Sequence, residues 1–432
     1  MKIISKQIVK PAEETWRGIM PLSVLDQIAE VTSSSHIYFY NKPIQEKWVN
    51  PSNNKIIDTL KESLSRVLVP FYPLAGRLSW VGGGRLKLEC NGMGAEFIEV
   101  ESSEKIADLG DLYSCSEKFR YLQPHLDYYK KPIQELPVLA VQVTRFACGG
   151  LSVGICMSHV VVDGKSAFYF TEEWARLARG EPLEKQPLLD RRVLQAENVD
   201  DECTTKAQVL QGQNLSIFSQ LCVNEKGDNT NYNKVDTYKN VTPTLLFLTK
   251  DEIERLKKVA TNKKIIENGN NKRPYSRFEV ISSHVWRCVT KARELDDEDI
   301  TTLVVSVDTR PRLDPPLPSR EETSKVNNEY VMDYIKFFKN QESLTKYQFM
   351  DDLGKVECLS ILDNDQTVGV VSWLNLGGFG IDFGWGKEFH MGPPLVYASD
   401  GDVLITQKDD GTVVVRVCVQ SNLKFQEYIS IM

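Results

Sequence analysis

An apolar strand pattern, Leu151 to Ser158, runs directly into His159-Val160-Val161-Val162-Asp163-Gly164, and a helical pattern, Lys165 to Ala178, runs directly out of it. Such a strand–turn–helix unit must bury a sheet face against the helix that follows, so it fixes a local layer of sheet and helix. Within the strand, Leu151, Val153, Ile155 and Met157 share one face at a period of two, and His159 continues that parity until the turn breaks it. Asp163 stands where an N-cap is favoured, Gly164 beside it tolerates unusual dihedrals, and Gly180 ends the helix as a C′ glycine. An imidazole at such a strand exit is held by rigid elements on both sides yet can face a cavity, which is what a general base requires. A lone histidine in an apolar run is more often a satisfied core residue. Two features set this one apart. It is one of only five histidines (His36, His125, His159, His284 and His390), with Asp and Gly at fixed spacing behind it, and a second short motif, Asp382-Phe383-Gly384-Trp385-Gly386, lies far downstream.

The length of 432 residues exceeds one ordinary core and predicts two domains. Charged and amide residues dominate from about Glu181 to Thr242. The expected division is therefore an N-terminal domain over 1–185, a crossover linker over 186–240 and a C-terminal domain over 241–432. The formal net charge of −7 gives no electrostatic footprint for nucleic acid. No run of about 18 apolar residues is present and the first residues lack the apolar core of a signal peptide, so a cytoplasmic protein without a membrane span is expected. Nine cysteines without CxxC or CxH spacing read as reduced thiols, and no metal site is suggested.

Along the chain, strand patterns cover Ile3 to Val9, Ile37 to Tyr40, Leu78 to Trp80 with Leu86 to Leu88 around Gly82-Gly83-Gly84, Val138 to Ala147, and Thr244 to Leu248. Later ones are Leu303 to Val307, read as buried, Val368 to Trp373, and Val413 to Val419 after an Asp410-Gly411 turn. Helical patterns start near Ser23, run from Ile56 to Leu68 before Pro70, and open at a Thr249-Lys250-Asp251-Glu252 capping box. That last helix is expected to turn Ile253, Leu256 and Val259 inward and to pair Glu254 with Lys258. Arg277 to Arg293 and Glu322 to Phe338 also read as helices. The mixture argues an α/β or α+β architecture with two sheet-containing domains.

No P-loop, dinucleotide fingerprint, zinc motif or Gly-x-Ser-x-Gly elbow is present. Cys156 lies near His159 in sequence but on the other strand face, which argues against a Cys–His nucleophile pair. What remains is a base without a protein nucleophile. Its chemistry needs an external alcohol or amine and an activated acyl donor.

Taken together, His159 to Gly164 and Asp382 to Gly386 resemble the two signatures of the plant BAHD acyltransferases, which move acyl groups from coenzyme A thioesters to alcohols or amines. The resemblance spans nearly the whole chain, including Leu68 to Leu78, Glu173 to Gly180, His284-Val285-Trp286-Arg287 and Gly384 to Glu388, and is closest to the hydroxycinnamoyl transferases. It implies an α/β fold of two chloramphenicol acetyltransferase-like domains, each with a mixed sheet and flanking helices, with a channel between them. It also implies a monomer without cofactor or metal, using acyl-CoA as co-substrate. By the same resemblance His159 is the general base, and Trp385 presents its indole N–H to the oxyanion or else packs. Asp163, Gly164, Asp382, Gly384 and Gly386 are implied to be structural, with Arg310 or Arg312 as the partner of Asp163. Ser276 is implied to touch the pantetheine arm, and Ser34, His36 and Tyr38 to line the acceptor pocket.

Asn375 occupies the place of an arginine that binds the acceptor carboxylate in shikimate- and quinate-using relatives. Losing a bidentate, charge-assisted partner favours a neutral or cationic acceptor, so the expected reaction is hydroxycinnamoyl transfer to an amine such as a spermidine-like polyamine. The alternatives are an O-transferase using an alcohol such as shikimate or quinate, and a catalytically impaired copy. The last arises because, after Pro318, the family's Tyr-Phe-Gly-Asn strand and the connection behind it are missing from this chain. Removing a strand exposes a hydrogen-bonding edge.

Overall fold

The computed structural model describes residues 1–29, 31–45, 48, 55–114, 117–128, 131–194, 241–261, 274–296, 298–313, 328–344, 366–394, 400–408, 410–420 and 425–429. Most of the expected linker, from 195 to 240, and the departure after Pro318 lie outside them. In chain order the elements begin with β1 (Lys2–Val9), β2 (Gly18–Met20), α1 (Val24–Gln27), β3 (Ser33–Tyr40), α2 (Lys55–Val67), β4 (Arg77–Gly82), β5 (Arg85–Cys90) and β6 (Ala95–Ser102). They continue with β7 (Leu139–Phe146), β8 (Leu151–Ser158), α3 (Gly164–Ala178), β9 (Val241–Leu248), α4 (Lys250–Ala260), α5 (Arg277–Ala292) and β10 (Thr302–Val305). The last are α6 (Asn328–Lys339), β11 (Thr367–Ser372), β12 (His390–Gly392), β13 (Asp402–Gln407), β14 (Val413–Gln420) and α7 (Phe425–Ile429). Among the described residues no helix is long and apolar enough to cross a membrane.

The chain divides into two compact units that are not contiguous in sequence. The first gathers Met1–Asn224, Thr309–Cys358 and Gly377–Leu395. Its main sheet has the order β1-β6-β7-β8-β3-β12, with β6 and β7 parallel and the other neighbours antiparallel. The edge strand β12 comes from beyond residue 241, so sheet membership does not follow the boundary read from composition. All eight residues of β8 are buried, so both faces of the sheet are covered there. One face carries Ile37 and Phe39 of β3 against Phe119, Leu122 and Phe146. The other is covered by α3, whose Phe168 and Thr171 meet His36 of β3. Helix α3 in turn packs on α2, and the indole N–H of Trp174 donates to Ser63 Oγ at 3.0 Å. A second, three-stranded sheet in this unit has the order β2-β5-β4. A satellite cluster joins Leu313, Val331 and Ile335 to Val24, Leu25, Leu194 and Met332.

The second unit gathers Glu225–Asp308, Leu359–Leu376 and Val396–Met432. Its sheet has the order β10-β11-β13-β14-β9, parallel from β10 to β13 and antiparallel from there on. Helix α5 buries Val280, Ile281, Val285, Cys288 and Val289 in its core. The capping box of α4 forms as expected, with Thr249 Oγ1 accepting from Glu252 N–H and Glu252 accepting from Thr249 N–H. Two expectations on α4 fail. Val259 is 77% exposed, because only a narrow stripe of this surface helix, Ile253 and Leu256, reaches the core. Glu254 meets Lys257 at 2.7 Å, one residue earlier than expected. Among the described residues strand β10 is an edge strand, its half-buried residues ending at an exposed Val305, with β11 as its one described neighbour.

Candidate active site

His159 sits one residue past the end of β8. Ser158 is paired with Ser33 of β3, and the His159 N–H donates to Thr32 O at 2.9 Å. Ser158 O accepts the N–H groups of Val161 and Val162 at 3.0 and 3.1 Å, which closes the turn. Val160, Val161 and Val162 are all buried, whereas His159 is exposed. The three β-branched side chains thus anchor the turn in the core while the imidazole is left open to solvent. A further tie comes from Arg191, whose Nη2 donates to Val161 O at 2.7 Å while its Nη1 pairs with Asp26 Oδ2 at 2.5 Å.

Asp163 is the N-cap of α3, its Oδ1 accepting from Ser166 N–H at 2.9 Å. Its Oδ2 pairs with Arg310 Nη1 at 2.7 Å, and Arg310 Nη2 donates to Ser166 Oγ at 3.2 Å. Of the two arginines weighed from sequence, Arg310 forms this pair and Arg312 does not. Burial alone would push the Asp163 carboxyl up, but the Arg310 guanidinium and the Ser166 donors outweigh it and hold the pKa at about 2. Its two oxygens are committed to the helix start and to Arg310. Gly164 is the first helical residue and is not among the glycines with positive φ, so no unusual dihedral explains it.

Ser34, His36 and Tyr38 share one face of β3, opposite Met157, Ile155 and Val153 of β8, and that face is the one α3 covers. Only Ser34, nearest the His159 end, is half-open; His36 and Tyr38 are buried. His36 Nε2 lies 3.3 Å from Thr171 Oγ1, and burial lowers its pKa to about 3, so the ring is neutral. Burial, with the nearby charges of Glu388 and Glu172, raises the Tyr38 phenol well above its ordinary value. The row therefore leads from the strand end into the interior.

The downstream motif closes on itself. Asp382 Oδ1 accepts the N–H groups of Gly384 and Gly386 at 2.7 and 3.0 Å. Both glycines have positive φ, 114° and 119°, which a side chain would strain. Arg179, the C-cap of α3, donates to Asp382 O, and Trp48 Nε1 donates to Gly384 O at 3.0 Å. Trp385 is buried, stacked on Phe383 at 5.6 Å and edge-on to Tyr40 and Trp48 at 5.8 and 5.6 Å. Its indole N–H meets no hydrogen-bond acceptor among the described residues.

This loop is not brought to His159. Tyr40 pairs with Leu151 and Ser33 with Ser158, so Trp385 packs at the far end of β3, about 23 Å from the His159 end at about 3.3 Å per residue. Helix α3 gives the same answer. The loop meets its C-terminal end at Arg179, whereas Asp163 begins it, about 24 Å away at about 1.5 Å per residue. Of the two expectations for Trp385, oxyanion donor or packing residue, the geometry shows the packing, at the end of β3 remote from His159.

The remaining two expected residues lie in the second unit. Ser276 is the N-cap of α5, its hydroxyl accepting from Glu279 N–H at 3.2 Å. β11 ends at Ser372, and Asn375 is exposed in the turn that follows. Sequence reading missed Arg191 and Asp26. Arg191 lay in a charged stretch taken as linker; Asp26 had a signal in the Ser23-x-x-Asp26 capping box.

The Transferase family description matches residues 1–321 and 319–427, two pieces that meet where the sequence departs from the family pattern. The chain is 35% identical to a hydroxycinnamoyl-CoA:piscidic acid hydroxycinnamoyltransferase of Actaea racemosa, over 97% of this chain and 96% of that one. It is 30% identical to an anthranilate N-benzoyltransferase of Dianthus caryophyllus, with 99% of each covered, and 30% identical to a shikimate O-hydroxycinnamoyltransferase of Nicotiana tabacum, with 98% and 97% covered. Its fold is that of the vinorine synthase crystal structure, at a TM-score of 0.67 and 19% identity over 99% of this chain and 96% of that one. Fold and sequence together define a two-domain mixed α/β acyltransferase. The chain belongs to the BAHD transferase family and is a coenzyme A-dependent, acyl-transferring enzyme.

Proposed function

We propose that the protein transfers a hydroxycinnamoyl group from its coenzyme A thioester to an amine, with His159 as general base. The observation that carries this is the exposed imidazole fixed at the exit of a fully buried strand. The neighbouring thiol does not compete with it. Cys156 is buried and burial raises its pKa, so its thiol stays protonated and unreactive. His159 takes a proton from the acceptor as that atom attacks the thioester carbonyl. The tetrahedral intermediate then expels the coenzyme A thiolate, and the protonated imidazole returns the proton to sulfur.

The amine reading rests on Asn375, a neutral amide where a carboxylate-binding arginine is otherwise expected. An N-acylating relative among the similar proteins supports it. A second reading, transfer to a hydroxyl of an acid, draws on the piscidic acid and shikimate named for the other two relatives. In this proposal Trp385 packs, and Ser276 shares its hydroxyl between α5 and the pantetheine arm. A cytoplasmic setting is supported by the free thiols of Cys90, Cys148, Cys156, Cys288 and Cys418.

The test is turnover of p-coumaroyl-CoA with spermidine, anthranilate, shikimate and simple alcohols, read as free thiol and product mass. With spermidine, an amide product whose rate keeps rising above pH 8 is expected, because an alkyl primary amine of pKa about 10 is mostly protonated below that. An ester product with a flat profile there overturns the amine reading and installs the second one.

A further inference from the structure

We propose that Arg191 is a positioning residue for His159, forming with Arg310 a two-point clamp on the turn that carries the base. The inference rests on the reading of His159 as general base.

The turn from Ser158 to Asp163 is gripped at two places by two arginines. Arg310 holds its last residue through the Asp163 carboxylate at 2.7 Å. Arg191 holds its middle, donating to Val161 O at 2.7 Å, two residues from His159. The two arginines are presented alike. Each opens a 3₁₀ turn, Arg191–Leu194 and Arg310–Arg312, and each is followed three residues later by a leucine, Leu194 and Leu313. Both leucines enter the same apolar cluster with Val24, Leu25, Val331 and Ile335. The cluster therefore sets the spacing between the two guanidinium groups.

Arg191 is itself oriented. Asp26 pairs with it at 2.5 Å and is fixed in turn by the Ser23 N–H and Oγ, both at 2.7 Å. Both partners of the pair are about four-fifths buried. A planar guanidinium can serve a carboxylate and a carbonyl at once, which an ammonium cannot do with the same geometry. Arg310 fixes the start of α3 and the His159 N–H bond to Thr32 O fixes the strand end. The bond to Val161 O ties the middle of the turn between these two ends, next to the segment that carries the exposed imidazole. Displacing a catalytic group by about 1 Å can cost about 100-fold in rate.

The experiment measures kcat and KM per folded molecule for wild type, Arg191→Ala, Arg191→Lys, Asp26→Asn and His159→Ala with p-coumaroyl-CoA and its best acceptor. Arg191→Ala is expected to lose about 10- to 100-fold in kcat with KM for the thioester within about twofold. Millimolar guanidinium ion is expected to restore part of the loss. Arg191→Lys and Asp26→Asn are expected to fall between it and wild type. A role in folding alone would lower the folded fraction, leave kcat per folded molecule unchanged, and give no rescue. If Arg191→Ala does not fold, wild-type kcat in both Arg191→Lys and Asp26→Asn overturns the clamp. Loss of the base itself reads differently: a His159→Ala enzyme as active as wild type would sink the general-base reading rather than the clamp.

Discussion

The two short motifs of this chain are built in opposite ways. The turn at His159 buries its neighbours, Val160 to Val162, and leaves the imidazole exposed. The loop at Asp382 to Gly386 does the reverse. It spends Asp382 on its own backbone N–H groups, buries Phe383 and Trp385 in an aromatic cluster, and is tied to the end of α3 through Arg179. A side chain that must act on a small molecule is held through its backbone and left open at its tip. One that holds the fold together has its rings packed, even where, as at Trp385, the indole N–H meets no acceptor among the described residues. The two motifs sit at opposite ends of the same helix, so the second ties down the end of the helix that the first begins.

The sharpest way to break this contrast is to delete one side chain from each motif. His159→Ala is expected to lower kcat by about 100- to 10,000-fold while the melting temperature stays near that of wild type. Trp385→Ala is expected to cost about 3–5 kcal/mol in chemical denaturation. Trp385→Phe, which keeps the ring packing, should turn over within a few-fold of wild type. A large kcat loss in a stably folded Trp385→Phe enzyme would return the indole to the chemistry and erase the distinction.

A smaller effect compares the exposed histidine with the buried one. His36 has its pKa lowered to about 3 by burial, against an unfolded value of about 6.5. Below pH 6.5 the unfolded chain takes up a proton that the folded chain refuses. Stability from this site is therefore complete above about pH 6.5 and falls as the pH drops toward 3, by at most about 1.4 kcal/mol per unit. Urea unfolding between pH 7.5 and 5 should show this slope in wild type and lose it in His36→Gln. Identical slopes in the two proteins would mean that His36 is protonated in the fold.

Much of the local architecture was legible in the chain. The strand over Leu151 to Ser158, the N-cap at Asp163, the capping box at Thr249 and the ends of α2 all follow from periodicity and cap chemistry, which act over a few residues. The strands β6 and β13 and the three-residue strands β2 and β12 were missed, two of them because three residues carry no periodic signal. Val259 shows the limit from the other side. It matched an apolar spacing, but the width of the buried stripe depends on what the helix lies against.

The sequence alone determined the family, the mixed α/β class and the identity of the candidate base, because each is written in short contiguous patterns. Only the tertiary structure decided which arginine meets Asp163, that Arg191 reaches Val161 from what read as a linker, and that Trp385 lies far from His159. These are contacts between residues tens to hundreds of positions apart. Strand register and helix length set them, and no local pattern along the chain encodes a distance across the fold.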